Sequence, residues 1–139
     1  MSAATSTTDP GSRVRTVMVA DPHSAMAAAI AEVLGREPDT TVVTHTGNLL
    51  GLARMLARHR PDVLLLDPAI LGGDRLRSLP MLGQASPATR VLLMVMDGAG
   101  WGPAAARSGA AGYIPKSTPA AAWGPAVAAA ARREAAQVL

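Results

Sequence analysis

Two aspartates and a lysine are the residues of this chain best placed to do chemistry. Asp21 follows Val17-Met18-Val19-Ala20, Asp67 follows Val63-Leu64-Leu65-Leu66, and Lys116 comes just after Ala111 to Ile114. Each stands where an apolar stretch of strand length stops, and in open α/β sheets ligands collect at the carboxyl ends of the strands. Two carboxylates and an ammonium around one crevice suit a phosphoryl group and Mg²⁺, an ion held by one or two carboxylates with phosphate oxygens and waters. An aspartate can also take a phosphoryl group covalently. Lys116 is the single lysine beside twelve arginines, which points to a site that needs a compact point charge. Plainer readings stand beside these. Asp67 can serve as a turn cap and Asp21 as a cap for the next helix. Lys116 offsets the repulsion of two carboxylates with or without phosphate.

The elements that must position these residues are readable from the pattern. Val63–Leu66 is a continuous apolar run bounded by Pro61 and Pro68, as in a strand covered on both faces. Val14–Ala20 is a first strand, Thr40–Thr44 a second, Arg90–Met96 a fourth and Ala111–Ile114 a fifth. Ser24 is suited to cap a helix through Met26, Ala29, Ile30, Val33 and Leu34, closed by Gly35. Leu49, Leu52, Leu56 and His59 form the stripe of a second helix. Asp74 is suited to cap a third, through Leu76, Leu79 and Leu82, which Pro80 should strain or shorten. After the turn Asp97-Gly98-Ala99-Gly100, a weak fourth helix starts near Pro103 and ends at Gly109. Thr118-Pro119 opens a last helix running towards Gln137, with a kink or restart at Gly124-Pro125. Five strands alternating with five helices mean a doubly wound, five-stranded parallel sheet of the α/β class.

Composition excludes several function classes. At 139 residues the chain is one domain, expected over 13–139, after a disordered polar tail at 1–12. There is no cysteine, hence no disulfide, thiolate metal site or cysteine nucleophile. Phe is absent and Trp and Tyr total three, which leaves little aromatic surface for stacking on bases. The net charge of +3 is scattered over the chain, and no dense basic stripe marks a nucleic-acid face. There is no signal-peptide pattern and no membrane-spanning stretch, so a cytoplasmic location is expected. A phosphate-binding glycine loop and a nucleophile–base pair are also missing, which argues against an enzyme.

In its ordered set of motifs the chain resembles a response-regulator receiver domain, most of all the NarL/FixJ (LuxR-type) subgroup. The residues that carry the likeness are Val-Ala-Asp-Pro-His at 19–23, Pro-Asp-Val-Leu-Leu-Leu-Asp at 61–67 and Gly72 with Asp74. Thr-Arg-Val-Leu at 89–92 and Gly-Ala-Ala-Gly-Tyr-Ile-Pro-Lys at 109–116 complete the set. The resemblance implies a flavodoxin-like (βα)5 receiver fold. It makes Asp67 the phosphoacceptor position, Lys116 the phosphate partner and Tyr113 the switch aromatic. Asp21, Asp67 and the Ala69 backbone carbonyl become the metal pocket. The chain also departs from that pattern. Pro22 stands where the family has a second acid, and Val95 where it has the hydroxyl that grips the phosphoryl group. Leu71 replaces a proline, and Pro115 an aliphatic residue. Mg²⁺ binding is therefore expected to be weak or absent.

These features are read as an atypical receiver: a regulatory, dimerising module of a NarL/FixJ-type transcriptional regulator in which phosphorylation is weakened or lost. DNA would be reached only through a separate effector domain. One alternative keeps phosphoryl transfer from a sensor histidine kinase to Asp67. Another places a small-molecule effector in a crevice made more apolar by Pro22, Leu71 and Val95. His23, His45 and His59 share no ligand spacing, and Met81, Met94 and Met96 read as core filler. Trp101 and Trp123 fall on the face where such domains signal or dimerise, though Trp123 with Val127 fits equally well against the sheet.

Overall fold

The computed structural model describes residues 14–72, 75–96, 100–132 and 136–137. β1 (Arg15–Ala20), α1 (Ser24–Gly35), β2 (Thr40–Thr46), α2 (Leu52–His59) and β3 (Val63–Leu66) alternate as the pattern predicts. Then come α3 (Leu79–Ala85), β4 (Arg90–Val95), α4 (Trp101–Ser108), β5 (Gly112–Pro115) and α5 (Ala120–Ala131). The strands form one parallel sheet in the order β2-β1-β3-β4-β5. A two-residue strand, β6 (Ala136–Gln137), pairs with Gly112 and Tyr113 at the β5 edge. The last helix thus stops at Ala131, and Gln137 belongs to the sheet.

The period of two along a strand sorts the core into two layers. Val17 and Val19 face α1 and α5 together with Val63, Leu65, Leu92 and Met94. Met18 and Ala20 face α2, α3 and α4 together with Leu64, Leu66, Leu93 and Val95. All four residues of β3 are fully buried, as a strand covered on both faces must be. Helices on both sides leave the carboxyl ends of the strands as the open edge.

Several local expectations are corrected. Ser24 is the first residue of α1, and His23 holds the cap position without a side-chain cap bond. Thr118 lies one residue before the α5 cap, Pro119. Pro80 falls in the first turn of α3, where a missing N–H has no intrahelical acceptor to lose, and the helix is shortened as expected: it begins at Leu79, after a 3₁₀ turn at Arg75–Ser78. α5 continues through Gly124-Pro125 without a restart. Of Met81, Met94 and Met96, Met94 alone fills the core, because β4 ends at Val95 and Met96 is 77% exposed, with Met81 also exposed. Trp123 is buried against the sheet, its indole Nε1 donating to the Thr118 carbonyl at 2.9 Å. Asp74, Asp97–Ala99 and the tail at 1–12 lie outside the described residues.

Candidate functional site

The parallel register that pairs Ala20 with Leu66 sets Asp21 and Asp67 side by side, one residue past the ends of β1 and β3. The Asp67 N–H donates to the Ala20 carbonyl at 2.9 Å and closes that corner. Lys116 leaves β5 with its own N–H on the Val95 carbonyl of β4 at 2.7 Å. Its side chain reaches past the end of β4 to both aspartates. The structure therefore brings together the three residues singled out from the sequence.

Their polar atoms are almost fully assigned. Lys116 Nζ donates to Asp67 Oδ2 and lies 2.5 Å from Asp21 Oδ2 as an ion pair. Asp67 Oδ1 accepts the Ala69 N–H at 2.8 Å, which makes Asp67 the cap of the 3₁₀ turn Pro68–Leu71. Asp21 Oδ1 accepts the His23 N–H at 2.8 Å. The plainer turn-cap reading is thus realised in Asp67, whereas Asp21 holds the turn before α1 and does not cap the helix. Asp21 Oδ2 is fully buried and has the Lys116 ammonium as its partner. Burial on its own would lower the Lys116 pKa. Hydrogen bonds and charge from Asp21 and Asp67 outweigh that effect and raise it above the ordinary 10.5. The group stays an ammonium, and the trio carries one net negative charge.

The remaining residues of interest border this trio. Val95 is buried at the end of β4 and presents no hydroxyl. The Ala69 carbonyl accepts the Gly72 N–H at 3.3 Å, which leaves it a second lone pair. Tyr113 is half-buried on β5, its ring 3.9 Å from where a Cβ on Gly102 of α4 would sit. Pro22 points to solvent. A cavity of about 300 Å³ opens beside Asp67 and Lys116, walled by Met94, Val95, Met96 and Trp101, with His23 also at its polar end. A wider groove of about 770 Å³ between α1 and β2 is open to solvent and lies away from these residues.

His23 is the residue that sequence reasoning missed. Its Nδ1 lies 3.3 Å from Asp21 Oδ1, and a ligand atom from each of Asp21, His23 and Asp67 falls within 4.8 Å of the others. The signal was local. A two-residue step across a turn places a side chain back beside the strand end, a relation that the spacing of His23, His45 and His59 does not carry.

Residues 17–123 match the family of the response regulator receiver domain. The chain belongs to that family. Among curated relatives, this receiver domain is 29% identical over 105 residues to the oxygen regulatory protein NreC of Staphylococcus epidermidis. That match covers 74% of this chain and 48% of NreC, so the chain spans about half the length of that relative. It is 34% identical over 103 residues to a protein-glutamate methylesterase/protein-glutamine glutaminase of Rhodospirillum centenum, covering 72% of this chain and 26% of that enzyme. Among solved structures, the signal receiver domain of NarL from Mycobacterium tuberculosis superposes with a TM-score of 0.76 at 26% identity, covering 86% of this chain and 98% of that one. The flavodoxin-like receiver fold and the kinship with NarL-type regulators follow. Among the described residues no helix is long and apolar enough to cross a membrane.

Receiver domains commonly bind Mg²⁺ at an acidic site, and Asp21 and Asp67 are the carboxylates that would hold it here. Asp21 Oδ2 is a buried carboxylate oxygen of the right kind, but the Lys116 ammonium already lies on it. Two carboxylates already shared with an ammonium leave waters or a phosphoryl group to supply most of the octahedron. The residues fit Mg²⁺ weakly.

Proposed function

We propose that this receiver domain is an atypical, non-enzymatic regulatory module of a NarL-type transcriptional regulator, controlled by contacts between copies or with partner proteins more than by phosphorylation of Asp67. The observation that supports this most is the self-satisfied pocket. Both carboxylate oxygens of Asp67 already hold a donor, from Ala69 and from Lys116, and the ammonium supplies the positive charge a cation would bring. Pro22 adds no ligand where the family has an acid. Val95 offers no donor that could draw the end of β4 towards a phosphoryl group, so the usual link between phosphorylation and the Tyr113 face is missing. Control would pass to a homodimer in the cytoplasm, with DNA contacted by a separate effector domain.

Beryllofluoride with Mg²⁺ tests this reading, since it mimics a phosphoryl group on an aspartate. Trp101, on the wall of the cavity beside Asp67, is a built-in fluorescent reporter. No saturable change up to millimolar ligand, in a chain that sediments as a dimer, is the expected result. A saturable response abolished by Asp67→Ala would instead establish phosphorylation by a sensor kinase as the working switch.

A second reading draws on the apolar wall of the same cavity. Met94, Val95, Met96 and Trp101 over a small polar end suit an organic effector better than a phosphate. Thermal stabilisation of the folded chain across a metabolite panel, lost in Trp101→Ala, would support it. A panel without a single shift would count against it.

A further inference from the structure

We propose that β2 joins two copies of this chain: its free edge pairs antiparallel with the same edge of a second copy, centred on Val42, and the two sheets become one. This interface rests on the reading that copies of the chain contact each other, and it names the surface they use.

The two edges of the sheet are treated differently. At one, β6 pairs with Gly112 and Tyr113 of β5. At the other, β2 pairs with β1 alone, and among the described residues no strand covers its outer side. Such an edge offers a row of backbone N–H and C=O groups to another strand. The Arg15 N–H donates to the Asp39 carbonyl at 2.8 Å, so the peptide groups of Asp39 and, two residues on, Thr41 turn towards β1. By the same alternation Val42 turns its N–H and its carbonyl outward.

The strand is poorly protected against pairing. Exposed edges are commonly blunted by lysine, proline, charges or bulges. β2 reads Thr-Thr-Val-Val-Thr-His-Thr, all β-branched except for His45, with no lysine, proline or carboxylate. Its one device is a bulge between Val42 and Thr44 in the ladder with β1, which leaves Val42 in register with Val17. The space beside the strand is open as well. The groove of about 770 Å³ between α1 and β2 is bounded on the helix side by Ala28, Ala31 and Gly35, whose short side chains leave an incoming strand unobstructed. Glu32, the one long side chain of α1 there, is held by Arg36 of its own helix at 2.8 Å.

What the strand would meet selects a second copy as the occupant. A twofold axis through Val42 sets Val42 opposite its own copy, Thr41 opposite Val43 and Thr40 opposite Thr44. Each is a pair of β-branched residues, a kind that stabilises antiparallel ladders, and no charge opposes a like charge. An isologous interface requires this self-complementarity, whereas a strand from another protein does not.

The chain has no cysteine, so introduced cysteines report the contact without background. The test combines sedimentation with oxidative cross-linking of Val42→Cys and, as control, Ala121→Cys on the exposed side of α5. A dimer is expected, cross-linked through Val42→Cys, because Cα atoms of a hydrogen-bonded antiparallel pair lie roughly 5.5 Å apart, within disulfide reach. Ala121→Cys should stay unlinked. Thr41 is exposed, and Thr41→Lys and Thr41→Glu should each weaken dimerisation by about fivefold or more with an unaltered circular dichroism spectrum. An equimolar mixture of these two variants should restore the dimer. A dimer that leaves Val42→Cys unlinked, or that Thr41→Lys does not weaken, overturns the β2 interface and leaves the dimer reading standing. A chain that stays monomeric at every concentration overturns both and leaves the edge to a strand of another protein.

Discussion

Replacing Lys116 by Met keeps the apolar stem but takes a cation away from two carboxylates, one of them fully buried and the other 8% exposed. The site then loses its ammonium and keeps both carboxylates. Removing one partner of a buried ion network costs about 3–5 kcal/mol. A carboxylate can escape by binding a proton, and that route sets a ceiling. Protonating an aspartate of ordinary pKa at pH 7 costs roughly 4 kcal/mol, and at pH 5 roughly 1.5 kcal/mol. A folded Lys116→Met chain that takes up this proton binds more protons than its unfolded form, so its stability falls as pH rises. Urea denaturation of variant and parent at both pH values measures the effect. The expected destabilisation is about 3–4 kcal/mol at pH 7 and less than half of that at pH 5. Adding Asp21→Asn to Lys116→Met should recover much of the loss. A destabilisation below about 1 kcal/mol at pH 7, or an equal loss at both pH values, would refute the claim that Lys116 neutralises a buried pair.

The parent carries the complementary alkaline limb. The Lys116 pKa is raised in the folded chain, so its contribution is fully present below 10.5 and is lost as pH climbs through the folded value. Parent stability should therefore fall above pH 10.5 by more than that of Lys116→Met, as read by denaturation in alkaline buffers. Pro22→Asp restores an acid at an exposed turn position and should strengthen Mg²⁺ binding by about tenfold or more, measured by calorimetry; no gain would mean that the turn cannot aim the new carboxylate. Leu65→Ala, at a site buried in β3, should cost about 2–5 kcal/mol in urea midpoint and slope, since the rigid sheet cannot close the cavity.

The sheet was legible because burial on both faces writes an unmistakable signature. Val63–Leu66 and Leu92–Val95 are apolar without alternation, and the charged residues that follow mark where the sheet ends. The same rule found Asp21, Asp67 and Lys116, since parallel strands must deliver their last residues to one edge. Features decided by three-dimensional packing were harder to see. β6 is two residues whose side chains carry little strand preference, and only the free edge of β5 recruits them. Met96 extends the apolar run of β4 by one residue, although the strand has already left the sheet there. Caps at Ser24 and Thr118 were misplaced by a position or two, because several polar residues near a helix start compete for one geometry. The place of His23 beside Asp21 was hidden for a related reason: it comes from a turn that doubles the chain back on the strand end.

The double attachment of Lys116 makes one residue a mechanical coupling. Its backbone is stitched to the last carbonyl of β4, and its side chain is tethered to the tips of β1 and β3. Four adjacent strands thus converge on a single side chain and its own amide. Any ligand or ion that competes for the ammonium slackens this tether, and the strain is passed along the backbone of β5, on which Tyr113 sits three residues upstream. Without a hydroxyl at Val95, the pocket retains a covalent lever to the α4–β5 surface.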